Sequence, residues 1–278
     1  MLYTCLLTCP ICNATLEKTD NMLKCTNAHT FDIAKEGYVN LLRKKLPGDA
    51  KEMLAARRDF LERGYYRPLS DTLNELARTY LVDPSALTNI LDAGCGEGYY
   101  LGRLQKYLTD QHQQAQYIGL DISKEAVRMA AKRYKQSCFI VANIKERLVF
   151  VDHSIHALLN IFAPRNPPEF ARILAPDGLL FVVIPAPEHL LQLRSALHLL
   201  GIEEHKQQKV IDQFADHFDL VTSSALTYTA YFNHNEIVQA VMMTPNYWHL
   251  SDETRMQMEK LDEMVISLSF ACLTFRHR

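Results

Sequence analysis

The sequence lacks several features that would place it in a special class of protein. No apolar run among its 278 residues reaches the ~18 residues of a membrane-spanning helix, so no membrane association is expected. The chain does not start with a basic region followed by a clean apolar stretch, so no signal peptide is expected and a cytoplasmic protein is predicted. The formal net charge of −2 gives no overall basic field to attract nucleic acid. With 48% hydrophobic and 22% charged residues, the composition excludes a disordered chain, a collagen and a coiled coil.

Cysteine is scarce and unevenly distributed. Four of the seven cysteines lie within the first 25 residues, whereas a secreted disulfide scaffold would be shorter and denser in cysteine. The cluster therefore favours metal binding. The other three are scattered, and we interpret them as small buried apolar residues: Cys95, Cys138 and Cys272.

The cysteine cluster has the spacing of a metal-binding knuckle. Cys9 and Cys12 are separated by two residues, Cys25 follows after twelve, and His29 follows after three more. Three thiolates and one imidazole at this spacing are typical of a tetrahedral structural zinc site, so we predict one zinc ion per chain on these four residues. Cys5 is a rival for the fourth position, but it has no knuckle partner of its own.

The chain divides into three predicted parts. Residues 1–48 contain short apolar pairs, which predicts a small zinc-binding domain whose metal supplies free energy of order 10 kcal/mol. Residues 49–84 show helical spacing and are predicted to be a helical linker region. In residues 85–278, apolar strands alternate with helical patterns, which predicts an α/β fold with βαβ units and a parallel sheet covered on both faces.

A glycine loop follows the first predicted strand of this third part. Residues 92–98 read Asp-Ala-Gly-Cys-Gly-Glu-Gly, and glycines let the backbone approach a ligand closely. Asp121 ends the next strand, where it would accept hydrogen bonds from a ribose diol. The combination resembles motifs I and II of class I, Rossmann-like methyltransferases, which implies S-adenosylmethionine as the cofactor. Asp92, Gly94 and Glu97 are then expected to lie at the cofactor.

Residues after the later strands are further candidates. Asn143 follows the third strand and is expected to reach the adenine edge of the cofactor. Residues 160–164 follow the fourth strand, where this class places groups that face both cofactor and acceptor. His189 begins the helix after the fifth strand and would face the same crevice; the alternative is an ordinary solvent-exposed histidine.

Taken together, the motifs resemble one methyltransferase family. The zinc cluster, the segment Thr-Phe-Asp-Ile-Ala-Lys-Glu-Gly-Tyr-Val-Asn-Leu-Leu at 30–42 and the glycine loop resemble the bacterial 23S rRNA (guanine-N1)-methyltransferase family, RlmA, over nearly the whole chain. The resemblance implies a zinc domain that helps recognise an rRNA hairpin, a class I catalytic domain and a homodimer whose zinc domains frame an RNA cleft. The family often has Tyr where this chain has Phe162. The matching motifs imply cofactor contacts at Tyr66, Gly96, Glu97, Asp121 and His189.

Local charge supports an RNA substrate. Residues 43–67 contain eight Lys or Arg against four Asp or Glu. These basic residues either contact RNA phosphates or pair with acids of the protein and serve packing. The candidates for RNA contact are Arg43, Lys44, Lys45, Arg57, Arg58 and Arg63.

The resemblance thus implies an enzyme that methylates N1 of a guanine in a hairpin loop of 23S rRNA. A general base would assist removal of the N1 proton, and no residue of the sequence identifies it. One alternative is an inactive zinc-ribbon RNA-binding protein on a methyltransferase scaffold, and the intact glycine loop argues against it. The other is a small-molecule methyltransferase, against which the basic residues argue.

Overall fold

The amino-terminal part of the protein is a small ribbon. We analysed a computed structural model that describes residues 4–44, 46, 48–81, 87–244, 247 and 250–278. A single 3-10 turn, Thr4–Leu6, precedes three short antiparallel strands. These strands are β1 (Leu16–Thr19), β2 (Met22–Cys25) and β3 (Thr30–Asp32).

A mixed sheet forms the body of the molecule. In chain order its strands are β4 (Val39–Asn40), β5 (Thr88–Ala93), β6 (Ala115–Asp121), β7 (Cys138–Val141), β8 (Ile155–Ile161), β9 (Leu174–Pro185), β10 (Phe218–Asn233) and β11 (Glu263–His277). Their spatial order is β10-β11-β9-β8-β5-β6-β7-β4. The pairs from β9 to β4 are parallel, and β11 pairs antiparallel with both β9 and β10. The predicted parallel α/β sheet is confirmed, and its order reverses at β5, where open α/β sheets bind ligands.

Helices cover both faces of this sheet. In chain order they are α1 (Lys51–Glu62), α2 (Arg67–Tyr80), α3 (Tyr99–Asp110), α4 (Lys124–Arg133), α5 (Pro167–Ile173), α6 (Leu191–Ala196), α7 (Lys206–Phe214), α8 (His234–Met242) and α9 (Asp252–Met258). Ser123 caps α4, its hydroxyl accepting a hydrogen bond from the Ala126 N–H at 3.3 Å. Gly64, with φ +87°, follows the end of α1.

Strand β11 limits two of the helices. The helix expected to begin at His189 begins at Leu191 as α6, because Leu190 adopts a left-handed conformation and its N–H donates to the Ser267 carbonyl of β11. Helix α9 ends at Met258, before Glu263 pairs with Asn233 in the β10–β11 hairpin. No helix in the described ranges is long and apolar enough to cross a membrane.

The ribbon is joined to the sheet by backbone hydrogen bonds. Strand β4 adds to the edge strand β7, and the Leu41 N–H donates to the Val141 carbonyl at 2.9 Å. On the other side, the Thr8 N–H donates to the Val149 carbonyl at 2.9 Å. Leu7 is buried in the same apolar cluster as the central strands. The ribbon and the main sheet therefore share a core. The predicted boundary at 48 stays a prediction, and the one at 84 falls outside the described residues.

Candidate active site and metal centre

The four predicted zinc ligands converge on one point. The Sγ atoms and a ring nitrogen of Cys9, Cys12, Cys25 and His29 all lie within 4.8 Å of one another. The His29 Nδ1 atom is 3.6 Å from the Cys9 Sγ and 3.4 Å from the Cys25 Sγ, and the Sγ atoms of Cys12 and Cys25 are 3.7 Å apart. A tetrahedral zinc with donors about 2.0–2.3 Å away would separate those donors by about 3.3–3.8 Å. The donor set and its spacing fit one structural zinc.

The local turns account for this geometry. Asn13 and Ala28 both have left-handed backbones, with φ +61° and +63°. Asn13 directly follows Cys12, and Ala28 lies between Cys25 and His29. The pKa of Cys12 is lowered to about 6, chiefly because the Ala14 N–H hydrogen-bonds its sulfur, which favours the thiolate form that zinc binds. Cys5, the rival ligand, is exposed and lies outside the cluster.

The glycine loop after β5 is built on left-handed backbone. Gly94, Gly96 and Gly98 have φ values of +95°, +53° and +84°. The Gly94 N–H donates to the Leu120 carbonyl at 2.7 Å, which folds the loop back over β6. A Cβ atom on Gly94 would lie 2.4 Å from the Cβ of Ala163, so a side chain there would collide with the loop after β8. The glycines therefore permit both the turn and a close approach of two loops.

Asp121 is held over this loop. Its Oδ2 accepts a hydrogen bond from the Gly96 N–H at 3.0 Å, and its Oδ1 accepts one from the Ser123 N–H at 2.8 Å. Burial raises the pKa of Asp121, and these two N–H groups oppose that rise. The carboxylate keeps lone pairs that can accept further hydrogen bonds, and its contact with a ribose diol stays a prediction.

Asp92 lies below the loop without a polar partner. It is 1% exposed, and within the described part of the chain neither carboxylate oxygen has a hydrogen bond. Burial, reinforced by the charges of Asp121 and Glu97, raises its pKa to about 8. Glu97 is also buried, which raises its pKa. A buried carboxyl group without a partner is costly, and S-adenosylmethionine carries an ammonium and a sulfonium that would pair with it. The residues present fit this cofactor.

Asn160 offers a second unpartnered acceptor at the same edge of the sheet. Its amide nitrogen donates to the carbonyls of Ala93, at 3.2 Å, and Pro164, at 2.9 Å. Its Oδ1 atom is buried and has no hydrogen bond to any described residue. The side chain is thus fixed between the loops after β5 and β8.

Tyr66 and His189 form a buried pair. The Tyr66 Oη is 3.1 Å from the His189 Nε2, and the Ser269 N–H donates to the His189 Nδ1 at 3.3 Å. Burial lowers the pKa of His189 to about 3, so the ring is neutral and carries its proton on Nε2. Nε2–H then donates to the Tyr66 oxygen, and the tyrosine hydroxyl is free to donate elsewhere. Burial raises the pKa of Tyr66, which keeps it protonated.

Asn143 lies after β7, at the position expected for the adenine side. Its amide nitrogen donates to the Glu146 carboxylate at 3.2 Å, and its Oδ1 accepts from the Lys145 N–H at 3.0 Å. Both ends of the side chain are therefore engaged in their own turn. Its contact with the cofactor stays a prediction.

The predicted RNA-contacting residues fall into two groups. Arg43 and Lys44 are exposed before α1, and Lys45 falls outside the described residues. The other three form ion pairs within the protein: Arg57 with Asp49, Arg58 with Asp59 and Arg63 with Glu236. These ion pairs are compatible with the second interpretation of the basic residues, in which they pair with acids of the protein and serve packing.

Phe162, which directly follows β8 in the segment 160–164 that the sequence singles out, is 43% exposed and has φ +52°, an unusual conformation for an aromatic residue. Two other residues at the site had no clear signal in the sequence. Asp49 orients Arg57, and Ser269 sets the tautomer of His189 from β11, eighty positions away along the chain. Neither residue shares a local motif with its partner, so only the folded chain reveals them.

Comparisons with known proteins agree with this geometry. Residues 7–51 match the family model for the RlmA amino-terminal zinc ribbon, and residues 84–164 match a methyltransferase domain. The chain is 39% identical to a 23S rRNA (guanine(748)-N(1))-methyltransferase of Streptomyces fradiae, over 95% of each chain. It is 36% identical, over 87% of each chain, to a Micromonospora griseorubida protein provisionally named a 23S rRNA (guanine-N1)-methyltransferase. A Bacillus halodurans structure provisionally described as a methyltransferase matches at a TM-score of 0.50 and 14% identity, covering 73% of this chain and 97% of that one.

Proposed function

The chain belongs to the 23S rRNA (guanine-N1)-methyltransferase family, and on that premise we propose that it methylates N1 of a guanine in 23S rRNA. The observation that carries the proposal is the glycine loop with its buried, unpartnered Asp92, which fits a cationic cofactor. Bound S-adenosylmethionine would supply a methyl group on a positively charged sulfur, open to direct displacement.

The residues of the chain have distinct parts in this proposal. Asp121 would hold the ribose, Asp92 would face the cationic end of the cofactor, and the Tyr66 hydroxyl would donate into the crevice. Such contacts fix the direction of the methyl group, and alignment of this kind can contribute ~7–11 kcal/mol to a reaction. Tyr66 and His189 are positioning residues here, because their pKa shifts make both poor proton acceptors at neutral pH.

Phe162 is suited to hold the target base. Its ring is exposed at the carboxyl end of β8, with its centroid 6.2 Å from that of Tyr66 and 5.7 Å from that of Phe270. A base inside folded RNA must leave its stack to reach an enzyme, and an aromatic ring can replace the lost stacking. We therefore assign Phe162 as the stacking platform for the guanine.

A cleft beside the zinc ribbon supports a hairpin substrate. Its volume is about 370 Å³, and it lies between the knuckle, the segment after β4 and the loop after β7. Arg43, Arg147 and Asn143 line it, together with Ile11, whose side chain is 54% exposed. Cations beside an exposed apolar side chain suit an unpaired nucleotide, because they can hold its phosphate while the base packs. Arg43 and Lys44 are the predicted phosphate contacts that this surface favours.

We further propose the dimer that the family resemblance implies, with two zinc ribbons framing the RNA, in the cytoplasm where ribosomal RNA is found. Sedimentation analysis of the zinc-loaded protein should give twice the mass of one chain. A single-chain mass at all concentrations tested would exclude the dimer and leave the methyl transfer untouched.

Methyl transfer tests the proposed function directly. The protein is incubated with labelled S-adenosylmethionine and 23S rRNA hairpin transcripts, and the RNA is digested and analysed as nucleosides. N1-methylguanosine is expected with the wild-type protein, and much less with Asp121→Ala. RNA binding without methyl transfer would indicate an inactive RNA-binding protein on a methyltransferase scaffold. Methyl transfer only to small molecules would indicate a small-molecule methyltransferase.

A further inference from the structure

Arg57 reaches over the glycine loop from α1. Its Nη2 atom is 2.7 Å from the Asp49 Oδ2, and the pair is largely withdrawn from solvent, with 25% of the Arg57 side chain exposed. Its Nη1 atom is the nearest heavy atom to a Cβ built on Gly96, at 3.7 Å. One arm of the guanidinium is thus held by Asp49, and the other faces the loop on which Asp121 also rests.

The side of the Arg57 guanidinium that faces the glycine loop has N–H donors available for a ligand. A guanidinium carries five N–H donors in a planar fork, and only the Nη2 side is engaged by Asp49. Among the described residues, Nη1 has no hydrogen-bond partner. Asp49 therefore orients the fork and leaves its other side available to a ligand at the loop.

The acidic groups around the glycine loop favour a cation such as Arg57 beside them. Asp92, Glu97 and Asp121 place three carboxyl groups around the loop, and the Arg57 charge acts on both Glu97 and Asp121. Arg133 acts on Glu97 more weakly, and it is itself paired with Glu62. S-adenosylmethionine carries two positive groups, which the three carboxyl groups of the protein would attract. It also carries one carboxylate, which those three groups would repel.

We propose that Arg57 binds the α-carboxylate of S-adenosylmethionine. The inference rests on the proposed use of that cofactor, and it assigns Arg57 to cofactor recognition and not to an RNA phosphate. Arginine suits this part, because its fork matches a carboxylate with two parallel hydrogen bonds. The acidic groups then select the cationic centres of the cofactor, while Arg57 selects its carboxylate.

Two ligands that differ only in the carboxylate test the contact with Arg57. Decarboxylated S-adenosylmethionine keeps the sulfonium, amine and adenosine, and lacks only the carboxylate. Calorimetry without RNA should show that the wild-type protein prefers S-adenosylmethionine over this analogue by at least about tenfold. Arg57→Met should bind both ligands equally, and Arg57→Lys, which keeps the charge without the fork, should retain part of the preference.

Two further variants test how specific the effect of Arg57 is. Arg128→Met removes an arginine that pairs with Glu125 on α4, and the preference should be unchanged. Asp49→Asn keeps the arginine but removes the ion pair that orients its fork, so its preference should lie between those of the wild type and Arg57→Met. Thermal unfolding of each variant identifies any that does not fold.

Other results would overturn the inference in recognisable ways. A preference that survives in Arg57→Met excludes the contact; if the salt dependence of RNA binding falls in that variant, the arginine contacts RNA instead. Tighter binding of both ligands by Arg57→Met would mean that the side chain obstructs the site. A wild-type protein that binds neither ligand would instead refute the proposed cofactor.

Discussion

Asp92 carries a buried carboxyl group whose pKa of about 8 is far above its usual value of 3.8. The folded protein therefore holds a proton that the unfolded chain has released, and the free energy of unfolding should fall as pH rises from about 4 to 8. Asp92→Asn cannot ionise and should remove most of this fall, leaving the smaller contributions of Glu97 and Asp121, whose pKa values are raised in the same direction.

Urea unfolding of the cofactor-free protein at a series of pH values measures this effect. Asp216→Asn, at an exposed position, is the matched control and should leave the pH dependence as in the wild type. If the free energy of unfolding of Asp92→Asn fell with pH as in the wild type, the Asp92 carboxyl group would not be the source of that pH dependence.

His189 should stay neutral across the physiological range. Because burial lowers its pKa to about 3, nitrogen NMR should show the Nε2–H tautomer without titration between about pH 5 and 8. Tyr66→Phe removes the acceptor of that proton and should cost ~1–3 kcal/mol of unfolding free energy. Tyr107→Phe, which removes an exposed hydroxyl bond to Glu75, should cost much less. A His189 ring that titrates near pH 6.5 would contradict the buried pair.

At the scale of elements, the loops after β5 and β8 are packed too closely for a side chain at Gly94. Gly94→Ala should lose ~1–3 kcal/mol of stability and bind the cofactor poorly, because its Cβ would meet Ala163 at 2.4 Å. Gly37 has nearly the same backbone, φ +96°, and a Cβ there would meet no atom within 4 Å. Gly37→Ala therefore isolates the cost of backbone strain. Equal losses in the two variants, measured by thermal unfolding, would show that the collision is unimportant.

At the scale of the whole molecule, bound zinc should stabilise part of the main sheet as well as the ribbon. Cys25→Ser should lose the metal, and Cys5→Ser should keep about one zinc per chain, as elemental analysis would show. Because β4 is hydrogen-bonded to β7, loss of zinc should speed amide hydrogen exchange at Leu41 and along β7, and have less effect on β5. Unchanged exchange along β7 would mean that residues 1–48 form an independent domain.

The local features of this protein could be predicted from its sequence. The knuckle spacing identified the four atoms that converge at the metal centre, and strand–helix alternation predicted the parallel sheet. The glycine loop was recognisable because its backbone needs left-handed conformations at three neighbouring positions. In each case the responsible residues are close in sequence, so spacing alone carries the information.

Only the tertiary structure decided the contacts between distant segments. Helical periodicity predicts α1 but not which side faces the glycine loop, so the sequence does not distinguish an RNA contact at Arg57 from an ion pair such as the one with Asp49. β11 fixes where α6 begins, because the Leu190 N–H, at the amino end of that helix, donates to the Ser267 carbonyl. The same strand supplies the Ser269 N–H that fixes His189. Such contacts depend on how whole elements pack, and the free energy of packing is shared among residues far apart in the chain.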